Sequence, residues 1–160
     1  MSTSYIRFAA MIATSTLVMF GLMYLNTFAA DHAWFSQTRM WMALYMGAAM
    51  AAVMLSFMLG MYRNTRLNAA IFVAAALVFA VSLYLVRSQD TVGDEAWMKA
   101  MIPHHSIAIL TSSRANLEDP RVRELADDII DTQRLEIAEM EALIADLNGG
   151  PEATPEVDGR

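Results

Sequence analysis

The sequence predicts an all-α protein: three membrane-crossing helices followed by an antiparallel helical hairpin outside the membrane. Three observations carry this. First, the windows 8–30, 40–62 and 67–86 hold no charged residue, and each is about as long as the ~17–25 apolar residues a spanning helix needs. Second, beyond them the apolar residues recur at three- and four-residue spacing, with no strand-like alternation. Third, charge is partitioned. Residues 1–87 carry five basic and one acidic residue, net +4, against six basic and sixteen acidic in 88–160, net −10. The expected domains are a membrane domain over 1–87, a hairpin over 88–148 and a disordered acidic tail over 149–160.

The first span follows Arg7, and its small residues near Ala29–Ala30 also fit a signal peptide. The apolar stretch is long for that, so an uncleaved span is expected. The second and third spans flank Arg63 and Arg66, whereas the loop before the second has only Asp31 and Arg39. The positive-inside rule then places the N-terminus and the 63–66 loop in the cytoplasm. The C-terminal domain lies outside, in the periplasm if the membrane is a bacterial inner membrane. In the outer loop, Trp34 and Trp41 fit an interfacial belt. His32, beside Asp31 and near Met40, has two readings: a solvated side chain, or a ligand passing metal to or from the hairpin.

The second span holds Met42, Met46, Met50, Met54 and Met58 at unbroken four-residue spacing. Such a row climbs ~6 Å and drifts ~40° per step. One reading is a thioether ladder for Cu(I). The other is flexible methionine filling gaps in a helix interface. Gly47, Ala51 and the Ala70/Ala74 pair would allow close helix packing.

The polar, Gly-containing "RSQDTVGDE" marks the domain boundary. A helix is expected from about 94 to 117, capped by Asp94 or Thr91. In "EDPR", Asp119 as N-cap and Pro120 at the first helical position start a second helix, ending before "NGG". Its apolar stripe is Val122, Leu125, Ile129, Ile137, Met140, Ile144 and Leu147, interrupted by Gln133 and Glu136. On the first helix Met98, Met101, His105, Ala108 and Ser112 share a face. A turn centred near 118–119 pairs residues whose numbers sum to about 237, setting His104 and His105 against Thr132 and Gln133, and Met101 against Glu136.

"WMKAMIPHHSIAI" holds the chemistry. Met101 and His105 stand four apart on one face, and Pro103 removes a helix hydrogen bond. Thioether and imidazole without thiolate suit Cu(I) or Ag(I) better than zinc, calcium or magnesium. The chain has no cysteine, which fits an oxidising compartment. Gln133 and Glu136 are candidates to orient an imidazole N–H. Core packing with two partly solvated histidines is the competing reading.

The stretch "WMKAMIPHHSIAIL…ADDIIDTQRLEIAEM" resembles a bacterial domain-of-unknown-function family marked by M-I-P-H-H and a later I-I-x-x-Q-x-x-E-I-x-x-M. The resemblance covers residues 94 to 147. It implies a ferritin-like helical bundle associated with copper binding and copper resistance outside the cytoplasm. It implies Met101, His104, His105 and Met140 as metal ligands, with Met98 a weaker addition. Soluble members often carry two such hairpins; this chain has one, attached to three spans. The Met row also resembles, as an analogy, the M-x-x-x-M of eukaryotic high-affinity copper transporters, whose topology is the reverse.

The expected function is therefore extracytoplasmic copper binding for sequestration, delivery or tolerance, with the lipid bilayer as anchor. Two alternatives stand: a Cu(I) transporter using the Met row, and a docking subunit of a membrane complex. No enzyme signature is present: no E-x-x-H pair, H-E-x-x-H, G-x-S-x-G or phosphate loop. The acidic hairpin argues against nucleic acid. A hairpin of ~55 residues is marginal alone, so a homo-oligomer, most simply a dimer, is expected. A copper-receiving membrane protein is a further expected partner.

Overall fold

The computed structural model describes residues 3–153. Among them every regular element is helical: α1 (Thr3–Leu22), a short 3-10 turn (Ala30–His32), α2 (Gln37–Phe57), α3 (Thr65–Ser88), α4 (Asp94–Arg114) and α5 (Pro120–Leu147). The chain divides into two compact units. One holds α1 together with Gln37–Thr91; the other joins Tyr24–Ser36 to the chain from Val92 onward.

In the first unit α1, α2 and α3 are each long and apolar enough to cross a membrane. α1 lies earlier than the expected 8–30. Its end is set by Arg39, whose Nη1 donates to the Met23 carbonyl at 2.8 Å, one of the carbonyls a helix end leaves without an internal partner. α2 ends at Phe57, short of the expected residue 62, and α3 is two residues longer at each end than expected.

α2 packs through Ala43, Gly47, Ala51 and Leu55. At Gly47 a Cβ would stand 2.3 Å from the Thr16 hydroxyl of α1, so only glycine admits that approach. On α3 the buried positions are Asn68, Ala75 and Ser82, seven apart, as left-handed packing of near-parallel helices requires. The expected Ala70/Ala74 pair is exposed instead. Tyr5 donates to Asn68 Oδ1 at 2.8 Å, and Asn68 Nδ2 donates to the Tyr62 carbonyl at 2.6 Å. This closed network pins α1 to the α2–α3 turn and satisfies the buried amide. An apolar groove of about 590 Å³ runs along α1, α2 and α3, past Ile12, Thr16, Ala48 and Ile71.

In the second unit α4 and α5 form a hairpin. Gly93, not Asp94 or Thr91, is the α4 N-cap, without a side-chain bond. Asp94 and Glu95 instead supply negative charge in the first turn, where the helix dipole favours it. α4 ends at Arg114, three residues early. Asp119 caps α5 as expected, accepting from the Arg121 N–H at 2.9 Å, with Pro120 in the first turn. Arg121 also binds the Asp119 carboxylate; these bonds hold its pKa below the usual carboxylate value and raise that of Arg121. Gly149, at φ 81°, ends α5. The expected acidic tail lies outside the described residues from 154 on.

The core of this unit is Met98, Ile102, Ile109, Ile130, Ile137, Met140 and Ile144, with Trp34 and Met101 packed against it. The buried face of α5 is thus Ala126, Ile130, Ile137, Met140 and Ile144. Val122, Leu125, Ile129 and Leu147, expected in the core, are exposed. The apolar arc of α5 is wider than one partner helix can cover, and α4 covers only one edge of it. Trp34 is partly buried against this core, with Lys99 Nζ 5.6 Å from its ring centroid.

Candidate metal centre

The candidate centre lies between α4 and α5. His105 is mostly buried, with 13% of its side chain exposed. Its Nε2 stands 2.7 Å from Glu136 Oε2, and its Nδ1 2.9 Å from the Met101 carbonyl oxygen. Gln133 Nε2 donates to the same Glu136 oxygen at 3.1 Å. The two groups expected to orient an imidazole are therefore linked to each other and to the ring.

The register differs from expectation. His105 and Glu136 sum to 241, not 237, because α4 stops at Arg114 and the connection takes in residues 115–118. Glu136 meets His105 rather than Met101, and Gln133 reaches His105 only through Glu136. Met98 and Met140 are buried in the shared core, with Met101 packed against them. Three thioethers and His105 thus line one interface. His104 is exposed, its ring centroid 6.0 Å from that of His105 and the planes 66° apart. Pro103 is buried within α4. Among the described residues no three of His, Asp or Glu are grouped to hold a metal ion. The donors gathered here are thioether and imidazole, a set suited to soft cations.

A further feature was missed in the sequence. Ser106, fully buried, accepts the Phe28 N–H at 2.7 Å and meets His32 Nδ1 at 2.9 Å. The Tyr24–Ser36 segment therefore docks on α4 beside His105. A signal did exist: a serine between Ile102 and Ile109 on the apolar face of a helix needs a partner once buried.

The Met row lies elsewhere, in the first unit. Met42, Met46, Met50, Met54 and Met58 are all half-buried, one position off the close-packed row Ala43, Gly47, Ala51 and Leu55. Met54 and Met58 pack against the cluster of Tyr5, Phe8, Ala51, Leu55 and Tyr62. Met58 falls in the turn after α2.

Comparison with known proteins bears on the hairpin. Over 69 residues the chain is 38% identical to "Uncharacterized protein L153" of Acanthamoeba polyphaga mimivirus. The alignment takes in 42% of this chain and 45% of that protein, so the chain spans about half the length of the curated relative it matches. No solved structure matches the chain. A family model described as "Domain of unknown function (DUF305)" matches residues 82–155, a range that takes in the end of α3 and all of α4 and α5. The match to this family model thus covers the hairpin that holds the candidate centre.

Proposed function

We propose that this chain is a membrane-anchored protein that binds Cu(I), and equally Ag(I), in the α4–α5 hairpin outside the cytoplasm. Its role is sequestration, delivery or tolerance of copper. Met101, His104, His105 and Met140 are the ligands, with Met98 a weaker addition. The observation that carries the reading is that Met98, Met101 and Met140 share one core between α4 and α5, the same two helices that His105 and Glu136 bridge. The I-I-x-x-Q-x-x-E-I-x-x-M signature and its copper association support it.

Of the two bonds at the His105 ring, the one to the Met101 carbonyl is the weaker. That oxygen is neutral and, in an α-helix, already takes the backbone N–H four residues on. The bond to Glu136 is charge-assisted. With Glu136 holding Nε2–H, Nδ1 is the nitrogen that would bind a soft cation, in its unprotonated form and with its contact to the Met101 carbonyl given up. A carboxylate behind a ligating imidazole fixes the ring and raises its basicity.

Cu(I) competition against a chromophoric chelator, on the detergent-solubilised chain and on His104→Ala/His105→Ala, tests this. Tight binding lost in the double variant is expected. Binding retained by the double variant but lost when Met46, Met50 and Met54 become leucine would move the site to the Met row and favour transport. No binding by the unmodified chain would leave a helical docking module and refute the copper reading.

A further inference from the structure

The α4–α5 hairpin has one closed side and one open side. On α4, Ser106 and Lys99 lie to one side of the line of contact with α5. There Phe28, His32 and Trp34 of the chain's own Tyr24–Ser36 segment cover the helix. Turning the other way on α4 leads to Trp97, Met101 and His104. The same rotational sense on antiparallel α5 leads to the same side of the hairpin. There, roughly 75° from the buried row at 100° per residue, lies a second apolar row: Val122, Leu125, Ile129, Leu143 and Leu147. These five are 37–62% exposed, and Trp97 is 50% exposed. Exposed apolar side chains gathered in two clusters along one helix face mark a candidate interaction site.

Four of the five residues of the row pair about one centre, and Ile129 has no counterpart in it. Val122 with Leu147, and Leu125 with Leu143, give sums of 269 and 268. Between them the row turns polar at Thr132 and Glu136, whose numbers also sum to 268. A face that pairs with itself about a twofold axis must be self-complementary in this way. Antiparallel pairing sets leucine on leucine and Glu136 opposite the partner's Thr132. Parallel pairing would set Glu136 on the partner's Glu136, and like charges repel. A lipid surface fits less well. Helices that lie on membranes carry Lys and Arg on their polar face, whereas residues 88–160 carry six basic against sixteen acidic residues.

We propose that a second copy of this chain covers the open face, α5 antiparallel to the partner's α5, with the twofold axis crossing near residue 134. This places the candidate centres at the dimer axis. His105 meets Glu136, so level with residue 134 of α5 is residue 107 of α4. His104 and His105 lie within about 5 Å of that level at ~1.5 Å per residue. Exposed His104 of each copy then faces the interface. The importance of the axis rests on the copper reading above; the pairing itself does not.

The test uses the full chain in detergent micelles without metal. The chain has no cysteine, so Leu125→Cys and Leu143→Cys, carried on differently tagged copies, report on pairing alone. A disulfide joining the two tags, with little cross-linking of either variant by itself, is the expected result. Self-cross-linking of Leu125→Cys alone would overturn the antiparallel arrangement. Native mass showing only monomers would overturn the dimer, and a lipid-embedded label at position 125 would assign the face to a membrane surface instead. Leu125→Glu replaces an exposed residue and leaves the fold intact by circular dichroism. It removes two leucines from the seam per dimer and weakens dimerisation by about 100-fold or more; unchanged dimerisation refutes the seam. A cross-linked dimer that fails to bind Cu(I) refutes the copper reading and leaves the pairing in place, whereas a monomer that binds Cu(I) does the reverse.

Discussion

Replacing Ser106 with alanine tests whether the Tyr24–Ser36 segment is held on α4 by one hydroxyl. Ser106 is fully buried and accepts the Phe28 N–H at 2.7 Å while meeting His32 Nδ1 at 2.9 Å. Alanine keeps the packing volume nearly unchanged and removes both bonds. A buried donor stripped of its partner costs about 1–3 kcal/mol. The Phe28 contact is only part-buried, so water can reach the freed amide and the lower half of that range applies. At about 1.4 kcal/mol per factor of ten, ~1–2 kcal/mol raises the open population of the segment about 5- to 30-fold. Amide hydrogen exchange on the full chain reads this directly, through faster exchange at Phe28. α5 should exchange as before, since none of its contacts is removed. Ser113→Ala serves as the control, because its exposed hydroxyl bonds only the Leu110 carbonyl of its own helix. Unchanged exchange at Phe28 in Ser106→Ala would refute the claim that this bond docks the segment.

Other expectations concern the two units separately. Glu136→Leu removes the carboxylate behind His105 and should weaken Cu(I) binding about 10–100-fold, read by the same chelator competition; unchanged affinity would mean that Glu136 does not support the ligand. Gly47→Val forces a Cβ to within 2.3 Å of the Thr16 hydroxyl and should cost about 1–3 kcal/mol by overpacking, seen as a lower midpoint of detergent unfolding, whereas Gly60→Val, where a Cβ meets nothing within 4 Å, should not. The Asp119 carboxyl is held below its usual pKa by Arg121 bonds, and that of Glu95 by Lys99 and then Asn148. Each therefore stabilises the hairpin fully above the ordinary carboxylate pKa and progressively less as pH falls through its lowered value. Helicity should accordingly weaken below about pH 4. Asp119→Asn, which still caps a helix, should flatten that acid dependence; an unaltered acid profile would show that Asp119 plays no part in it.

The helices themselves were legible in the sequence, because each depends on local chemistry. Uncharged windows gave three spanning candidates, Asp119–Pro120 fixed the start of α5, and "NGG" its end. That Met98, Met101 and His105 lie toward one side of α4 was also visible, since three- and four-residue spacing decides which side chains share a helical face. Which part of an apolar face finds a partner is another matter. Val122, Leu125, Ile129 and Leu147 have the spacing of core residues, yet α4 meets Ile130, Ile137 and Ile144 instead. Spacing reports how wide an apolar face is, not where a second helix will touch it.

Register was likewise a tertiary decision. Four residues of irregular connection moved Glu136 opposite His105, and no local signal fixes how a short connection folds. The docking of Phe28 and His32 on Ser106 joins positions more than seventy apart, beyond the reach of any pattern within one helix. The sequence by itself determined the helices, their faces and the soft donors they carry, because propensity, capping and periodicity act over a few residues. Only the tertiary structure decided that Glu136 rather than Gln133 meets His105 directly, that the Tyr24–Ser36 segment closes one side of the hairpin, and that the other side is left open, because those follow from contacts between elements.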